Sequence, residues 1–140
     1  MSKTIRDGKH AKTAWKSQSS RQEKPWGHEI IWPGHTGIHG KILHIKAGFK
    51  TSLKYHKLKA ESLYFVTGRA VVTYGSENSF DDPIVWPMQE QEFGPGDTLM
   101  VQSGCPYRIH AVEDCEVIEI GNHLNDLAIR IKDDYGRADQ

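Results

Sequence analysis

Residues 48–68, GFKTSLKYHKLKAESLYFVTG, decide the fold. Gly48 opens the stretch, Gly68 closes it, and the residues between read as two short strands. Successive side chains of a strand point to opposite faces. Over 52–56 that puts Lys54 and His56 on one face and Leu53 and Tyr55 on the other. Glu61 stands at the head of a second, apolar run, Ser62 to Val66. The alternation aims an ammonium and an imidazole into a shared hollow beside a carboxylate.

Outward from this stretch the pattern stays β. Strands are expected over 30–32, 41–46, 70–74, 98–102, 107–112 and 116–120, with turn residues between them. The two-residue Gly68-Arg69 link reads as a hairpin. Residues 33–40, with three glycines and a proline, read as a loop. Trp26 and Trp32 are expected on the barrel rim or outer face. Residues 75–93 carry five acids, two prolines and Trp86, and read as a loop insert folding over the barrel mouth. No internal repeat is visible, and the helical signal is limited to one turn near Leu124. Short strands at this spacing imply an all-β sandwich or barrel.

The bulk numbers bound the rest. A chain of 140 residues, 37% apolar and 26% charged, is enough for one soluble domain with one core. No apolar run approaches the roughly 20 residues of a membrane span, so no membrane partner is expected. The leader MSKTIRDGKHAKTAW lacks the apolar centre of a signal peptide, so a cytoplasmic location is expected. Cys105 and Cys115 are too few for a disulfide framework. Lys plus Arg equals Asp plus Glu, at 18 each, yet residues 1–24 hold seven of the cations against Asp7 and Glu23. The balanced total argues against a nucleic-acid partner. Residues 1–22 read as a flexible basic tail, and 23–137 as the barrel.

The spacing of residues 48–68 resembles the first cupin signature, G-x5-H-x-H-x4-E-x6-G, with Lys54 at the first His position. The run from Gly96 through Gly104 resembles the second, G-x5-P-x-G-x2-H-x3-N, with Gln102, Tyr107 and Ala111 at the Pro, His and Asn positions. More narrowly, the chain resembles the cupin domain of type II mannose-6-phosphate isomerases and their stand-alone relatives. Lys24-Pro25-Trp26-Gly27, the segment from Thr51 to His56 followed by Ala60-Glu61, and the closing Asp133-Asp134-Tyr135-Gly136-Arg137 carry that likeness. The resemblance implies a single-domain cupin, a double-stranded β-helix or jelly-roll barrel, that pairs as a homodimer.

It also implies a metal site built by two residues of the H-x-H pair, the Glu and the last His. Here His56 and Glu61 stand at two of those positions, while Lys54 ligates only if deprotonated and Tyr107 only as phenolate. His110 joins them if a β-bulge turns it inward. The ion would be one of Zn, Mn, Fe or Ni. Without a metal, Lys54, His56, Glu61 and Tyr107 still make a catalytic acid–base set. His56 or Glu61 is then the base, Tyr107 the acid, and Lys54 the partner of an enediolate oxygen. A metal-free structural pairing of His56 or Lys54 with Glu61 is the alternative. Arg108, Lys50 and Lys59 are candidates for binding a substrate phosphate, and Trp86 for stacking on a sugar ring. The function expected first is isomerase or epimerase action on a sugar phosphate or nucleotide sugar. The alternatives are a cupin that binds a sugar or other small molecule without turnover, and a metal-dependent oxygenase.

Overall fold

The computed structural model describes residues 5–6, 9–10, 12–35, 37–123 and 125–136, and of 5–6 and 9–10 the backbone alone. Two short strands, β1 (Ile5–Arg6) and β2 (Lys9–His10), pair with each other. The others are β3 (Ser20–Lys24), β4 (Gly27–His35), β5 (Ile38–Ile45), β6 (Leu53–Tyr55), β7 (Glu61–Thr67), β8 (Ala70–Tyr74), β9 (Gln89–Phe93), β10 (Thr98–Val101), β11 (Tyr107–Ala111), β12 (Cys115–Gly121) and β13 (Ile129–Lys132). They form a six-stranded sheet in the order β10-β7-β12-β5-β4-β3 and a five-stranded sheet in the order β13-β6-β11-β8-β9. All neighbours are antiparallel. From β5 onward the chain changes sheet at nearly every connection, which makes the expected jelly roll.

Alternation on the strands builds the interior. Leu43 and Ile45 on β5, Leu63 and Phe65 on β7, Val72 on β8, Ile109 on β11 and Val117 on β12 all point inward and are buried. Burying each such side chain stabilises the fold by about 1.5–3 kcal/mol. They fill one end of the barrel, together with Phe93, Leu99 and Val101. At the other end the inward positions are polar: His39 on β5, Glu61 on β7 and Glu119 on β12, with Glu29 on β4, are all buried.

Several local expectations are corrected. Gly68-Arg69 does not close a hairpin, because β7 and β8 lie in different sheets. Gly68, at φ 83°, carries the chain across the gap, held where the Val112 and Glu113 amides donate to the Arg69 carbonyl. The loop foreseen over 33–40 is the end of β4 and the start of β5, with a register shift between Trp32 and His35. Within 75–93, the last five residues form β9, an edge strand that buries Phe93 and leaves its Gln and Glu side chains exposed. Ser20 to Gln22, inside the stretch read as a tail, pair with β4 as part of β3. Trp26 is a core residue rather than a rim residue. Leu124 and Arg137 lie outside the described residues.

Candidate functional site

The polar end of the barrel collects the residues that the sequence singled out. β6 pairs with β11 so that Lys54 stands opposite Tyr107, and the Lys54 Nζ lies 5.6 Å from the centre of the Tyr107 ring. Tyr107 is fully buried and donates its hydroxyl to Glu61 Oε1 at 3.0 Å. His56, just past β6, places Nε2 3.7 Å from the same carboxylate oxygen. Its Nδ1–H donates to the Asp126 carbonyl at 3.0 Å, which leaves the lone pair on Nε2. Lys54, His56, Glu61 and Tyr107 are therefore brought together.

The cation on Glu61 is Lys59, a candidate for phosphate by sequence alone. Lys59 is buried, and its Nζ lies 3.4 Å from Glu61 Oε2 and 3.4 Å from Glu119 Oε2. Lys41 continues the series, 3.8 Å from Glu119 Oε2 and 2.8 Å from Glu29 Oε2, and Lys24 ends it, 3.7 Å from Glu29 Oε1. Glu119, Glu29, Lys41 and His39 had not been singled out as site residues. The signal was present: Cys115, Val117, Glu119 and Gly121 alternate on one face of β12, and His39, Lys41, Leu43 and Ile45 on one face of β5. That second set places His44 outward, where it stacks on His28 with ring centres 4.4 Å apart.

Charge and burial set the protonation states. Burial, with the charges of Lys59 and Lys54, depresses the His56 imidazole to about 4, so it is neutral at pH 7. Burial pushes the Glu119 carboxyl up, and the negative charge of Glu61 adds to this. Burial acts on Glu61 in the same direction, but the hydrogen bond from Glu119 and the cations Lys59, Lys54 and Lys41 outweigh it and leave that carboxyl below its ordinary value. Of the two carboxyls, Glu119 is the one whose ionised form burial and its neighbour disfavour. Burial, then the charges of Glu61 and Glu119, raise the Tyr107 phenol well above its usual range. Burial and Lys41 lower the Lys54 ammonium.

The remaining candidates lie elsewhere. His110 alternates with the inward Ile109 and Ala111 on β11, in regular register with Val71, and so faces away from Glu61. No bulge turns it inward. Arg108 is buried, with Nε donating to the Thr51 carbonyl at 2.9 Å and Nη2 to Asp134 at 3.2 Å. Lys50 Nζ is 3.8 Å from the same carboxylate, and Tyr135 Oη donates to the Lys50 carbonyl at 2.9 Å. Arg108 and Lys50 thus hold the C-terminal segment onto the barrel. Trp86 lines a separate cleft of about 780 Å³ between the insert and the β10 side of the barrel, together with Tyr74, Glu77, Gln89, Gln102 and Ser103.

No family model and no curated protein matches the chain. Solved structures do. Bacillus subtilis oxalate decarboxylase at pH 4.6 aligns with a TM-score of 0.67 and 21% identity, over 81% of this chain and 30% of that one. The formate complex of Lactobacillus farciminis oxalate decarboxylase aligns at 0.62 and 20%, over 74% and 30%. KdgF from Halomonas sp. aligns at 0.61 and 16%, over 74% of this chain and 86% of that one. The chain has the cupin fold. It spans less than a third of the oxalate decarboxylase chains and most of KdgF. Identities this low carry the cupin fold and no activity.

The Bacillus subtilis enzyme holds Mn(II) centres. In this chain one expected ligand position holds Lys54 and another holds Tyr107, whose hydroxyl is already given to Glu61. The second Glu61 oxygen faces the Lys59 ammonium. Among the described residues no group of three His, Cys, Asp or Glu side chains is placed to hold a metal ion. A donor set of one imidazole and one carboxylate, ringed by two ammonium groups, does not fit a divalent cation.

Proposed function

We propose that this cupin binds an uncharged, sugar-derived small molecule in the cleft beside the insert, without turning it over. The observation that carries the reading is the lining of that cleft. Trp86, 48% exposed, offers an apolar face for a pyranose ring, and Gln89, Gln102, Ser103 and Asn78 offer hydrogen-bonding groups around it. Glu77 is the one charged side chain among the described residues that line it, and its sign disfavours a phosphate. Arg108 and Lys50, the cations expected to take a phosphate, are engaged by Asp134. The interior set supports catalysis less well, because His56, Glu61, Tyr107 and Glu119 are all buried and Glu61 has both oxygens occupied.

Titration with mannose, glucose and their 6-phosphates, followed by tryptophan fluorescence and melting temperature, tests the reading. A neutral sugar should give a saturable signal that Trp86→Ala abolishes while leaving the unliganded melting temperature unchanged. Binding of the phosphate esters alone, indifferent to Trp86→Ala, would sink it.

A second reading, metal-free isomerase or epimerase, is favoured by one observation: Tyr107 Oη and the lone pair of His56 Nε2 converge on Glu61 Oε1. His56 would take the proton next to a carbonyl, Tyr107 would return one, and Lys54 would face the enediolate oxygen. Deuterium appearing at C2 of a sugar phosphate in D2O, and lost in Tyr107→Phe, would support it. An exchange rate equal to the buffer's disposes of it. The oxygenase reading finds no support in the donor set.

A further inference from the structure

We propose that Lys54 carries a nucleophilic amine, and that the polar end of the barrel forms an imine there with a short-chain aldehyde. The inference stands apart from what the cleft binds. Lys24, Lys41, Lys54 and Lys59 meet Glu29, Glu61 and Glu119 at this end, and the ion pairs leave Lys54 over. Lys59 Nζ lies 3.4 Å from Glu61 Oε2 and 3.4 Å from Glu119 Oε2. Lys41 Nζ is 2.8 Å from Glu29 Oε2, and Lys24 Nζ is 3.7 Å from Glu29 Oε1. No carboxylate among the described residues pairs with Lys54, whose nitrogen faces the Tyr107 ring at 5.6 Å. The amine is not sealed in. Lys54 is partly buried, and its Nζ, which makes no hydrogen bond among the described residues, retains accessible surface.

A proton on Lys54 therefore lacks a counter-charge of its own. Burial, and after it the charge of Lys41, works against that proton and enlarges the neutral fraction of the amine. A lysine desolvated beside another cation is the kind that attacks carbonyl carbon. The lone pair of Nζ adds to the aldehyde carbon, and the π pair moves to the oxygen. Both nitrogen protons then leave with that oxygen as one water, and a C=N bond remains. No oxidant or reductant is consumed. His56, two residues along, keeps a free lone pair on Nε2 because Nδ1 donates to the Asp126 carbonyl, and it serves to move the proton from nitrogen to oxygen. Tyr107, His56 and Glu61 are buried around the amine and restrict the reactant to a few carbons.

The full chain is treated at neutral pH with glycolaldehyde and cyanoborohydride, whose hydride turns each imine into a stable secondary amine. Cleavage after glutamate and mass spectrometry then give the labelling rate of every lysine. Lys54 should label about tenfold or more faster than the exposed Lys12, Lys16 and Lys57, because its neutral fraction is larger. In denaturing urea that advantage should vanish. Lys54→Met should lose the fast adduct, leave labelling of the exposed lysines unchanged, and melt no lower than wild type, since an unpaired charge is removed from the interior. The wild-type map decides the matter even where that variant fails to fold. Lys54 labelled no faster than the exposed lysines in the folded chain overturns the proposal. So does an advantage that persists in urea. A fast adduct on Lys41 or Lys59 in place of Lys54 overturns the assigned nucleophile.

Discussion

Tyr107 and Glu61 meet through one hydrogen bond at the centre of the polar end. Tyr107→Phe keeps the ring and removes the donor, leaving a buried carboxylate oxygen short of a partner. An unfolding free energy lower by about 1–3 kcal/mol is expected from urea titration, at unchanged slope. His56 gives a pH dependence. Its folded-state value, about 4, lies below the ordinary 6.5 of the unfolded chain. Its contribution is therefore present above pH 6.5 and is lost as the pH falls toward 4. His56→Gln should flatten that part of the stability curve. The convergence of Lys54, His56, Glu61 and Tyr107 was legible because strand alternation and spacing fix which side chains face inward. The partner of Glu61 was not: Lys59 lies in the short link between β6 and β7, where no period says which way a lysine points. Glu119 was hidden because a charge within an apolar strand is usually solvated, although its alternation with Val117 places it inside.

The link from Lys57 to Ala60 is tied down by the segment after β12. Asp126 Oδ2 accepts from the Leu58 and Lys59 amides at 2.7 and 2.9 Å, and Asn122 Oδ1 accepts from the Ala60 amide at 2.8 Å. Asp126→Ala should raise hydrogen exchange at the Leu58 and Lys59 amides by about tenfold or more, with little change on β7. At this scale the sequence was most legible where β-branched and aromatic residues alternate, as in β7, β8, β11 and β12. It misled at connections. Two residues, Gly68 and Arg69, suit a hairpin and a crossing between sheets equally well, and only the partner strands decide. β9 was hidden because Gln89-Glu90-Gln91-Glu92 is polar on both faces, and one buried side chain, Phe93, anchors it.

The barrel as a whole divides into an apolar end and a charged end, and both ends share strands β5, β7 and β12. Phe65→Ala, in the apolar end, should lower stability by about 3–5 kcal/mol in chemical denaturation and leave sugar binding at the insert cleft intact in the folded fraction. The all-β class and the jelly roll were legible from turn spacing and from the two glycine-anchored signatures. The cleft was not, because it is formed by residues 74–78, 85–89 and 99–106, which meet only once the sheets are stacked.

From β5 onward the chain changes sheet at almost every connection, so of the later strands β8 and β9 alone pair as neighbours in sequence: β5, already bonded to β4, waits for β12 on its other edge, β6 for β11, and β7 for β10 and β12. Beyond the β3-β4-β5 meander and the β8–β9 pair, little of this architecture can zip up locally. Refolding from denaturant should be slow for a chain of this size, on the order of milliseconds to seconds, and its barrier should be dominated by the closure of long loops rather than by any single turn.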